Sequence, residues 1–590
     1  MRISSFAFLG SFAFFAVAIS KANENLESRD FHSEKYLANS QKEYLTLPQK
    51  VTLKVEQSDI DSVDLGPWSL DEKIGQLLLI GYRSHEQVFR IQPAGLVFFS
   101  WSLKDAEQTQ SLITEIQEVH EKKEKAPLFL ATDHEGGRVL RIKKGITQFP
   151  DAAAVGSLRN PEASFAVGRA MGLELSALGF NMNLAPVLDL GNARSFLANR
   201  VWGDDPSRVR DSTVPFVQGL FSSRVLGVAK HFPGHGGTSE DSHFSLPKIL
   251  KSEKELWTQD LLPFQAAVEN GVSAVMTAHV EIPSIDRGPA SLSKKFITEI
   301  LREKIGFNGL VITDDLEMGG VAKQLGFTPQ DLALKALKAG SDLILIVWSQ
   351  ELQNKVVKRV QLALEKGEIT QEWLDIKVKK IVAFKNKFLG NRVFQNPYWK
   401  DNLRRKENLD LAEKVVDEAI HWNAGNEKLL LENFDSKLAQ SWKVLLPSRE
   451  WRVKWMSLRP QDKVYVLSKK ADSTVIKNYM RDIEEAMRLS VPLVLVTPPR
   501  ALGSEELFQA LRVRLGALIR KKELRSPVLW AHQGATPIKI NPKTKRDLPM
   551  GILSLHSGSL ATLNSLMSRL INEKKESDGY RFSIDTALME

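Results

Sequence analysis

The feature that most restricts the fold of this 590-residue chain is the alternation of short β-rich runs with longer helical stretches between positions 77 and 347. Most of the runs are separated by enough residues for a crossover helix, which parallel strands require. Eight such runs favour a closed (β/α)8 barrel over an open, doubly wound sheet. The runs cover residues 77–80, 95–99, 128–131, 180–184, 225–229, 274–277, 310–313 and 343–347.

A second pattern follows the barrel region. A helical segment from Gln371 to Phe388 closes that region, and β-rich runs then alternate with helical stretches such as residues 505–520. This alternation predicts a smaller, open α/β domain over residues 400–590, after a barrel over residues 68–392. The β-rich runs of the second domain cover residues 444–446, 464–467, 493–496, 528–530 and 552–555.

The first residues of the chain have the composition of a secretory signal peptide. Arg2 precedes an apolar run over residues 3–19, and small residues stand where a signal peptidase would cut. We therefore expect residues 1–20 to direct export across the inner membrane to the periplasm or the exterior, with no stable membrane insertion after cleavage. An uncleaved anchor is the alternative. Residues 21–67 are polar and weakly patterned, and the S-x-x-E sequence at 69–72 then predicts the start of a helix.

Composition limits the chemistry and the partners. The chain has no cysteine, which excludes disulfides, thiolate metal sites, a cysteine nucleophile and a lipidated cysteine. The net charge of +9 favours an acidic partner. Lysine and arginine are scattered among acidic residues without a zinc-finger, RNA-recognition or helix-turn-helix pattern, so nucleic acid is not an expected partner. A solvated basic surface and attraction to an anionic cell wall are the two interpretations of the charge. The sequence does not determine the oligomeric state.

The predicted barrel indicates where a site should lie. Catalytic residues of (β/α)8 barrels lie at the C-terminal ends of the strands. We therefore expect the site among the polar residues that follow the predicted strands, which are Asp133, Asp189, Lys230, His231, His279 and Asp314.

The densest group of these residues follows the fifth predicted strand. It consists of K-H-F-P-G-H-G at 230–236 and D-S-H at 241–243. Asp241 and His243 are two residues apart, so in an extended loop their side chains can point the same way. A carboxylate beside an imidazole fixes its tautomer and raises its pKa, which makes His243 a plausible general acid.

A metal site is the main alternative for this group. His231 and His235 have H-x-x-x-H spacing, and His243 could supply a third ligand. That spacing suits a helix, whereas Pro233 and Gly234 interrupt one here. A purely structural histidine cluster is the second alternative.

Two smaller groups contain carboxylates. Asp314 and Asp315 end the seventh predicted strand, where a carboxylate can attack an anomeric carbon. Because adjacent side chains of a strand point to opposite sides, only one of the two should enter the pocket. Helix capping could explain Asp315. Asp133 follows the third strand with Arg141 nearby, a pairing suited to sugar hydroxyl and acetyl groups, although a capping aspartate and a surface arginine would give the same pattern.

Together these segments resemble glycoside hydrolase family 3, and in particular its β-N-acetylglucosaminidase (NagZ-type) branch. The resemblance extends from about residue 69 to residue 389. The K-H-F-P-G-H-G loop combined with D-S-H is specific, since the β-glucosidases of the family lack that D-S-H pair. Further matching segments are K-I-G-Q at 73–76, D-H-E-G-G at 133–137, N-L-A-P-V-L-D at 183–189, A-S-L-S at 290–293 and G-F-N-G-L-V-I-T-D at 306–314.

The resemblance assigns roles to individual residues. It implies that Asp314 is the nucleophile and that Asp241 and His243 form the acid/base dyad, with no metal or other cofactor. Two departures are a glycine at position 237, where many relatives have aspartate, and Val201-Trp202 in place of Ser-Phe. The positions that the resemblance implies for sugar binding are Asp133, Arg141, Arg200, Lys230 and His231.

The resemblance also implies an activity. This activity is that of a retaining exo-β-N-acetylglucosaminidase that acts on β-1,4-linked GlcNAc-MurNAc fragments of peptidoglycan. The reaction passes through a covalent glycosyl-aspartate, and a histidine replaces the second carboxylic acid of the usual catalytic pair. A phosphorylase with the same intermediate, a metal-dependent barrel hydrolase and a catalytically silent wall-binding protein are the alternatives. Soluble muropeptide, polymeric wall and another aminosugar stay open as substrates, and the C-terminal domain has no assigned role.

Overall fold

In the computed structural model, eight parallel strands form the first sheet, β1 to β8 in chain order. The structure describes residues 53–122, 126–191, 197–237, 246–318, 326–390 and 398–424, together with parts of 443–555. The predicted signal peptide, most of the polar N-terminal segment, Asp241 and His243 lie outside the described residues. The strands are β1 Leu78–Gly81, β2 Gly95–Phe98, β3 Phe129–Thr132, β4 Met182–Asn183, β5 Leu226–Phe232, β6 Ala274–Thr277, β7 Leu310–Thr313 and β8 Ile344–Ile346.

The strand order closes the sheet into a barrel. Neighbours run β7-β6-β5-β4-β3-β2-β1-β8, so the two ends of the order are β7 and β8. Ile312 forms a parallel bridge with Leu343, and the Thr313 amide donates to the Leu343 carbonyl at 3.0 Å, which joins those ends. The predicted (β/α)8 barrel is therefore confirmed, with every expected strand present.

Burial explains why the strands appear in the sequence as continuous apolar runs. Every residue of the eight strands is buried, because one face points into the barrel and the other packs against helices. The largest hydrophobic cluster of the described residues spans these strands and the helices around them. The core therefore positions the strand ends on which the polar residues lie.

The fifth strand is longer than predicted. Lys230 and His231 were expected to follow it, but β5 continues through Phe232. The reason is additional pairing beyond β4, where Val187 bridges to Lys230 and the Leu188 amide donates to the Lys230 carbonyl at 2.5 Å. Lys230 and His231 are therefore held by the ladder of the barrel rather than by a loop.

Helices surround the barrel, and their starts follow ordinary capping chemistry. The predicted capping box is present: the Glu72 amide donates to Ser69 Oγ at 3.3 Å, and the Ser69 amide donates to Glu72 Oε2 at 2.8 Å. Within the described ranges, no helix is both long and apolar enough to cross a bilayer. The helices are α1 Gln57–Asp61, α2 Leu70–Gly75, α3 His85–Ile91, α4 Ala106–Lys122, α5 Ala152–Ser157, α6 Pro161–Ala177, α7 Pro206–Ser222, α8 Glu253–Thr258, α9 Leu261–Glu269, α10 Lys295–Lys304 (π-wound), α11 Pro329–Ala339, α12 Gln350–Glu365, α13 Gln371–Leu389 and α14 Lys406–Glu418.

A second, six-stranded sheet lies in the C-terminal part of the chain. Its order is β9-β14-β13-β12-β10-β11, and all neighbours are parallel except β9, which pairs antiparallel with β14. Five of the strands were predicted, whereas β9 was not. The boundaries proposed for the two domains stay predictions. The strands are β9 Ile420–Ala424, β10 Lys443–Leu446, β11 Lys463–Val466, β12 Leu493–Thr497, β13 Val528–Gln533 and β14 Met550–Leu555.

Glu174 of α6 ties the segment that leads into the second sheet to the barrel. Its Oε1 accepts hydrogen bonds from the Arg404 amide at 2.9 Å and from Asn408 Nδ2 at 3.0 Å. The same carboxylate also accepts from the amide and hydroxyl of Thr147, at 2.7 and 2.6 Å. One buried carboxylate thus connects three parts of the chain.

A buried ion cluster reinforces the seam between β7 and β8. Asp342, just before β8, accepts hydrogen bonds from the Val311 amide at 2.8 Å, from Arg302 Nη2 at 2.6 Å and from Lys380 Nζ at 2.9 Å. Burial opposes the charge of Asp342, but Lys380, Arg302 and Lys377 together hold its pKa well below the usual value. Asp342 therefore neutralises partly buried cations and also binds the β7 backbone.

We expect Asp342→Ala to lower the free energy of unfolding by about 3 to 5 kcal/mol, because it leaves partly buried cations without their counter-charge and the Val311 amide without its acceptor. Urea denaturation followed by circular dichroism measures the change. Glu351→Ala is the control, since the exposed Glu351–Lys355 pair should leave the unfolding midpoint unchanged. If Asp342→Ala had the same urea midpoint of unfolding as the wild type, the role assigned to this cluster would be wrong.

Candidate active site

A tight hairpin after β3 begins the site. His134–Gly136 pairs antiparallel with Val139–Leu140, which reverses the chain directly beyond Asp133. The turn needs two glycines: Gly136 has φ of 102° and Gly137 has φ of 55°. A Cβ atom at either position would also overlap a neighbour, the Pro150 carbonyl or the Asp151 carboxylate. The glycines of D-H-E-G-G therefore allow Arg141 to return towards Asp133.

The hairpin places Arg141 against Asp133. Arg141 Nη2 donates to Asp133 Oδ2 at 2.8 Å. Asn183 of β4 fixes the same segment, because its side chain accepts from the His134 amide at 3.0 Å and donates to the His134 carbonyl at 2.8 Å. The backbone that follows Asp133 is thus fixed by two hydrogen bonds to the Asn183 side chain.

Lys230 of β5 lies between two carboxylates of that hairpin. Its Nζ is 3.1 Å from Asp133 Oδ1 and 2.7 Å from Glu135 Oε1. Arg200 forms a bidentate salt bridge with Glu135, in which both N···O distances are 2.8 Å. These contacts bring together four of the five predicted sugar-binding residues, since Arg141 shares Asp133.

The charges of this cluster determine its protonation states. Burial opposes the charge on Glu135, but Arg200 and Lys230 hold the pKa of that carboxyl well below its usual range. Lys230 and Arg141 likewise outweigh burial and keep the pKa of Asp133 below its ordinary value. Two carboxylates therefore face three cations near neutral pH, an arrangement suited to a polar, neutral ligand.

His231 is oriented by a buried aspartate. Asp189, fully buried after β4, lies 2.6 Å from His231 Nδ1 and accepts the His235 amide at 2.6 Å. Since a carboxylate accepts the Nδ1 proton, the Nε2 atom of a neutral ring is left as an acceptor. Burial is the main cause that lowers the pKa of His235 to about 4, so that ring is neutral at pH 7.

Asp314 follows β7 and has a fixed backbone. Its amide donates to the Thr277 carbonyl of β6 at 3.0 Å, and its Oδ1 accepts the Asp315 amide at 2.8 Å. Burial favours the neutral acid, but His231, His279 and the other neighbouring donors and charges hold the pKa of Asp314 below its ordinary value. Asp314 is therefore an ionised, partly buried carboxylate. The groups that lower its pKa include Lys230 and His231, the two residues of β5 that are predicted to bind the sugar.

Asp315 has different surroundings from Asp314. Its Oδ1 accepts the Glu317 amide at 3.2 Å and the Val347 amide at 3.4 Å. Burial, with the nearby charge of Glu317, raises the pKa of Asp315 to about 8. Asp315 is thus largely protonated at pH 7 and caps a turn rather than a described helix.

The structure adds positioning groups that the sequence analysis left without a role. His279 after β6 is 2.7 Å from Ser291 Oγ through Nδ1 and 3.2 Å from the Asp315 carbonyl through Nε2, so it supports the backbone that carries Asp314. Glu135, the shared partner of Lys230 and Arg200, was missed as well. Its spacing of two from Asp133 was an available signal, because residues i and i+2 of an extended segment face the same side.

Part of the predicted site falls outside the described residues. Asp241 and His243 lie outside the described residues, so their roles stay predictions. In the ranges that the structure covers, no group of three or more His, Asp and Glu side chains could hold a metal ion. The metal alternative also needed His243 and is not tested. Trp202, part of the departure from the family pattern at positions 201 and 202, is buried against Phe216 with ring centroids 5.3 Å apart.

Comparisons with known proteins agree with this geometry. The protein-family model described as "Glycosyl hydrolase family 3 N terminal domain" matches residues 69–384 of this chain. The β-hexosaminidase of Hydrogenovibrio crunogenus is 36% identical over 286 residues, which cover 47% of this chain and 78% of that protein. The β-hexosaminidase of Haemophilus influenzae is 35% identical over 275 residues, covering 46% of this chain and 77% of that protein.

A solved structure extends the similarity beyond the barrel. The family 3 β-N-acetylglucosaminidase from a Paenibacillus species has a TM-score of 0.70 and 26% identity, covering 85% of this chain and 96% of that one. The chain belongs to glycosyl hydrolase family 3, and it is a glycoside hydrolase.

The raised pKa of Asp315 predicts a pH effect on stability. An unfolded aspartate titrates near pH 4, so between about pH 4 and pH 8 the folded chain holds a proton that the unfolded chain lacks, and stability falls as pH rises. Asp315→Asn should remove this contribution and make the decline less steep. Urea denaturation at several values from about pH 5 to about pH 8 measures it. Asp331→Asn, at a half-buried site whose pKa is lowered, should keep the wild-type slope, and an equal slope in Asp315→Asn would refute the assignment.

Proposed function

We propose that this chain is a retaining exo-β-N-acetylglucosaminidase that cleaves GlcNAc-MurNAc fragments of peptidoglycan through a covalent glycosyl-aspartate. The observation that carries the proposal is the position of Asp314 directly after β7, at the same end of the barrel as the Asp133–Lys230–Glu135 cluster. The names of the matched relatives support an N-acetylhexosamine substrate. In phosphate buffer such a hydrolase releases free N-acetylglucosamine, whereas a phosphorylase would release its 1-phosphate.

The charged cluster supplies the groups that bind the sugar. Asp133 can accept hydrogens from hydroxyl groups, while Lys230 and Arg141 can donate to hydroxyl oxygens. Because Asp133 and Lys230 already bond each other, the ligand meets side chains whose positions are set before binding. Arg200, which forms a salt bridge with Glu135, and His231 are the other two positions proposed to contact the sugar.

The chemistry proceeds in two displacements. Asp314 Oδ1 already accepts the Asp315 amide, so Oδ2 is the oxygen that attacks the anomeric carbon. As the C–O bond to the leaving group breaks, His243 donates its proton to the departing oxygen. Water then attacks the same carbon, gives its proton to His243 and releases Asp314, so the configuration at that carbon is retained.

The loop proposed to carry the acid/base dyad starts from the pocket. The His235 amide is bonded to Asp189, and the ring centroids of His235 and His231 are 6.1 Å apart. Asp241 and His243 follow within eight residues in the sequence. We infer that Asp241 orients the imidazole and that His243 replaces the second carboxylic acid of the usual pair.

Export and wall contact complete the proposal. Residues 1–20 have the composition of a secretory signal, which would place the enzyme in the periplasm or outside the cell. The net charge of +9 would attract it to anionic wall polymer. The proposed substrate is therefore wall-derived material met outside the cytoplasm.

Asp314→Asn should lower kcat/KM on a chromogenic N-acetylglucosaminide by more than about 10³-fold, because it removes the nucleophile. A slow fluorinated N-acetylglucosaminide should label the wild-type enzyme, and mass spectrometry of its peptides should find the adduct on Asp314. Asp331→Asn, the same chemical change on α11, serves as the control. An adduct on any other residue would be incompatible with the assignment.

His243→Ala should lower kcat by about 10²- to 10⁴-fold while the circular dichroism spectrum stays that of the wild type. Azide needs no general base, so adding it with an activated aryl substrate should restore turnover and give the β-glycosyl azide. Product configuration by NMR tests both steps. The assignment fails if His243→Ala is as active as the wild type, or if the azide product is the α anomer.

A further inference from the structure

An exposed aromatic cluster lies at the barrel mouth and has no part in the chemistry above. We name it the rim platform, formed by Phe99, Trp101 and Trp348. Phe99 and Trp101 are stacked with centroids 4.6 Å apart, and Trp101 meets Trp348 at 4.5 Å. The two tryptophans remain 40% and 54% exposed. Aromatic side chains of this size are usually buried, so a contiguous exposed set indicates a binding surface.

The rim platform is continuous with the sugar pocket on both sides. On one side, Arg141, which bonds Asp133, lies with its guanidinium 5.0 Å from the centre of the Phe99 ring. On the other side, the Trp348 amide donates to Glu317 Oε2 at 2.5 Å, and Glu317 is three residues after Asp314. The platform therefore extends along the ends of β8, β1 and β2, between the sugar-binding and nucleophile sides of the pocket.

Arg83, two residues after β1, gives the platform a charge. Its guanidinium lies 4.2 Å from the centre of the Trp101 ring and 5.8 Å from that of Trp348. The side chain is exposed, and it makes no ion pair with any residue that the structure describes. A guanidinium that lies over two tryptophan rings can bind the carboxylate of a ligand that lies on the same rings.

We propose that the rim platform and Arg83 form a subsite for the leaving-group sugar, in which the tryptophans contact the ring and Arg83 favours a leaving group that bears a carboxylate. The inference rests on the proposed function, because an enzyme that removes one terminal sugar leaves only the leaving group outside its pocket. Tryptophan faces suit the C–H faces of a pyranose, and the guanidinium suits an acidic substituent on that ring.

The test compares three substrates: methyl β-N-acetylglucosaminide, the neutral disaccharide GlcNAc-β-1,4-GlcNAc and the acidic disaccharide GlcNAc-β-1,4-MurNAc. In Trp348→Ala, the ratio of kcat/KM for either disaccharide to that for the methyl glycoside should fall about three- to tenfold. In Arg83→Gln, the ratio of the acidic to the neutral disaccharide should fall about two- to fivefold. Trp348→Phe should recover most of the loss.

Trp373→Ala is the matched control. Its ring also carries a cation, Lys377 Nζ, at 5.1 Å from the ring centre. Lys377 bonds the Ser341 carbonyl before β8, so this pair lies at the opposite end of the barrel from the platform. Trp373→Ala should keep the wild-type ratios for all three substrates, and thermal melting of each variant identifies any that fail to fold.

The outcomes separate the subsite from the proposed function. Unchanged ratios in Trp348→Ala and Arg83→Gln would overturn the subsite while the activity stands. A wild-type enzyme that cleaves none of the three substrates would overturn the proposed function. Calorimetric titration of both disaccharides then decides the subsite: weaker binding by Trp348→Ala supports it, whereas equal affinity or no binding by the wild type overturns it.

Discussion

The arrangement of the pocket depends on one buried cation shared by two carboxylates. Lys230, only 3% exposed at its side chain, contacts both Asp133 and Glu135. Each of these carboxylates also carries an arginine, so removing the lysine would leave acidic groups buried with half their compensation. Because Lys230 belongs to β5 and the carboxylates follow β3, the ion pairs also cross β4. The proposed sugar recognition and the local stability of the barrel mouth therefore depend on the same contacts.

The barrel could be predicted from the sequence because its strands are buried on both faces. Complete burial produces uninterrupted apolar runs, which are visible without knowledge of the partners. The end of β5 could not be placed, since a lysine and a histidine do not suggest a strand. Their inclusion depends on pairing with residues after β4, a contact distant in sequence. Likewise, β9 contains the polar residues His421 and Asn423, and its pairing with β14 defines it as a strand.

Most residues of the candidate site could be predicted from the sequence, but the ion pairs between them could not. Asp133, Arg141 and Lys230 were expected near one another, and the structure joins them directly. The link from Glu135 to Arg200 spans 65 positions and follows from the hairpin geometry, which no local pattern encodes. The contrast between Asp314 and Asp315 is similar: adjacent side chains were expected to differ, but the protonated state of Asp315 depends on burial and on Glu317.

The inclusion of Lys230 and His231 in a strand has an evolutionary consequence. Loops tolerate insertion and replacement, whereas a central strand of a closed barrel cannot shift its register without disrupting its neighbours. The residues proposed to select the terminal sugar would thus be inherited with the scaffold, while the surrounding rim is free to diversify. Descendants of such a chain could acquire new aglycone preferences by changing exposed residues at strand ends, without rebuilding the part that recognises the amino sugar.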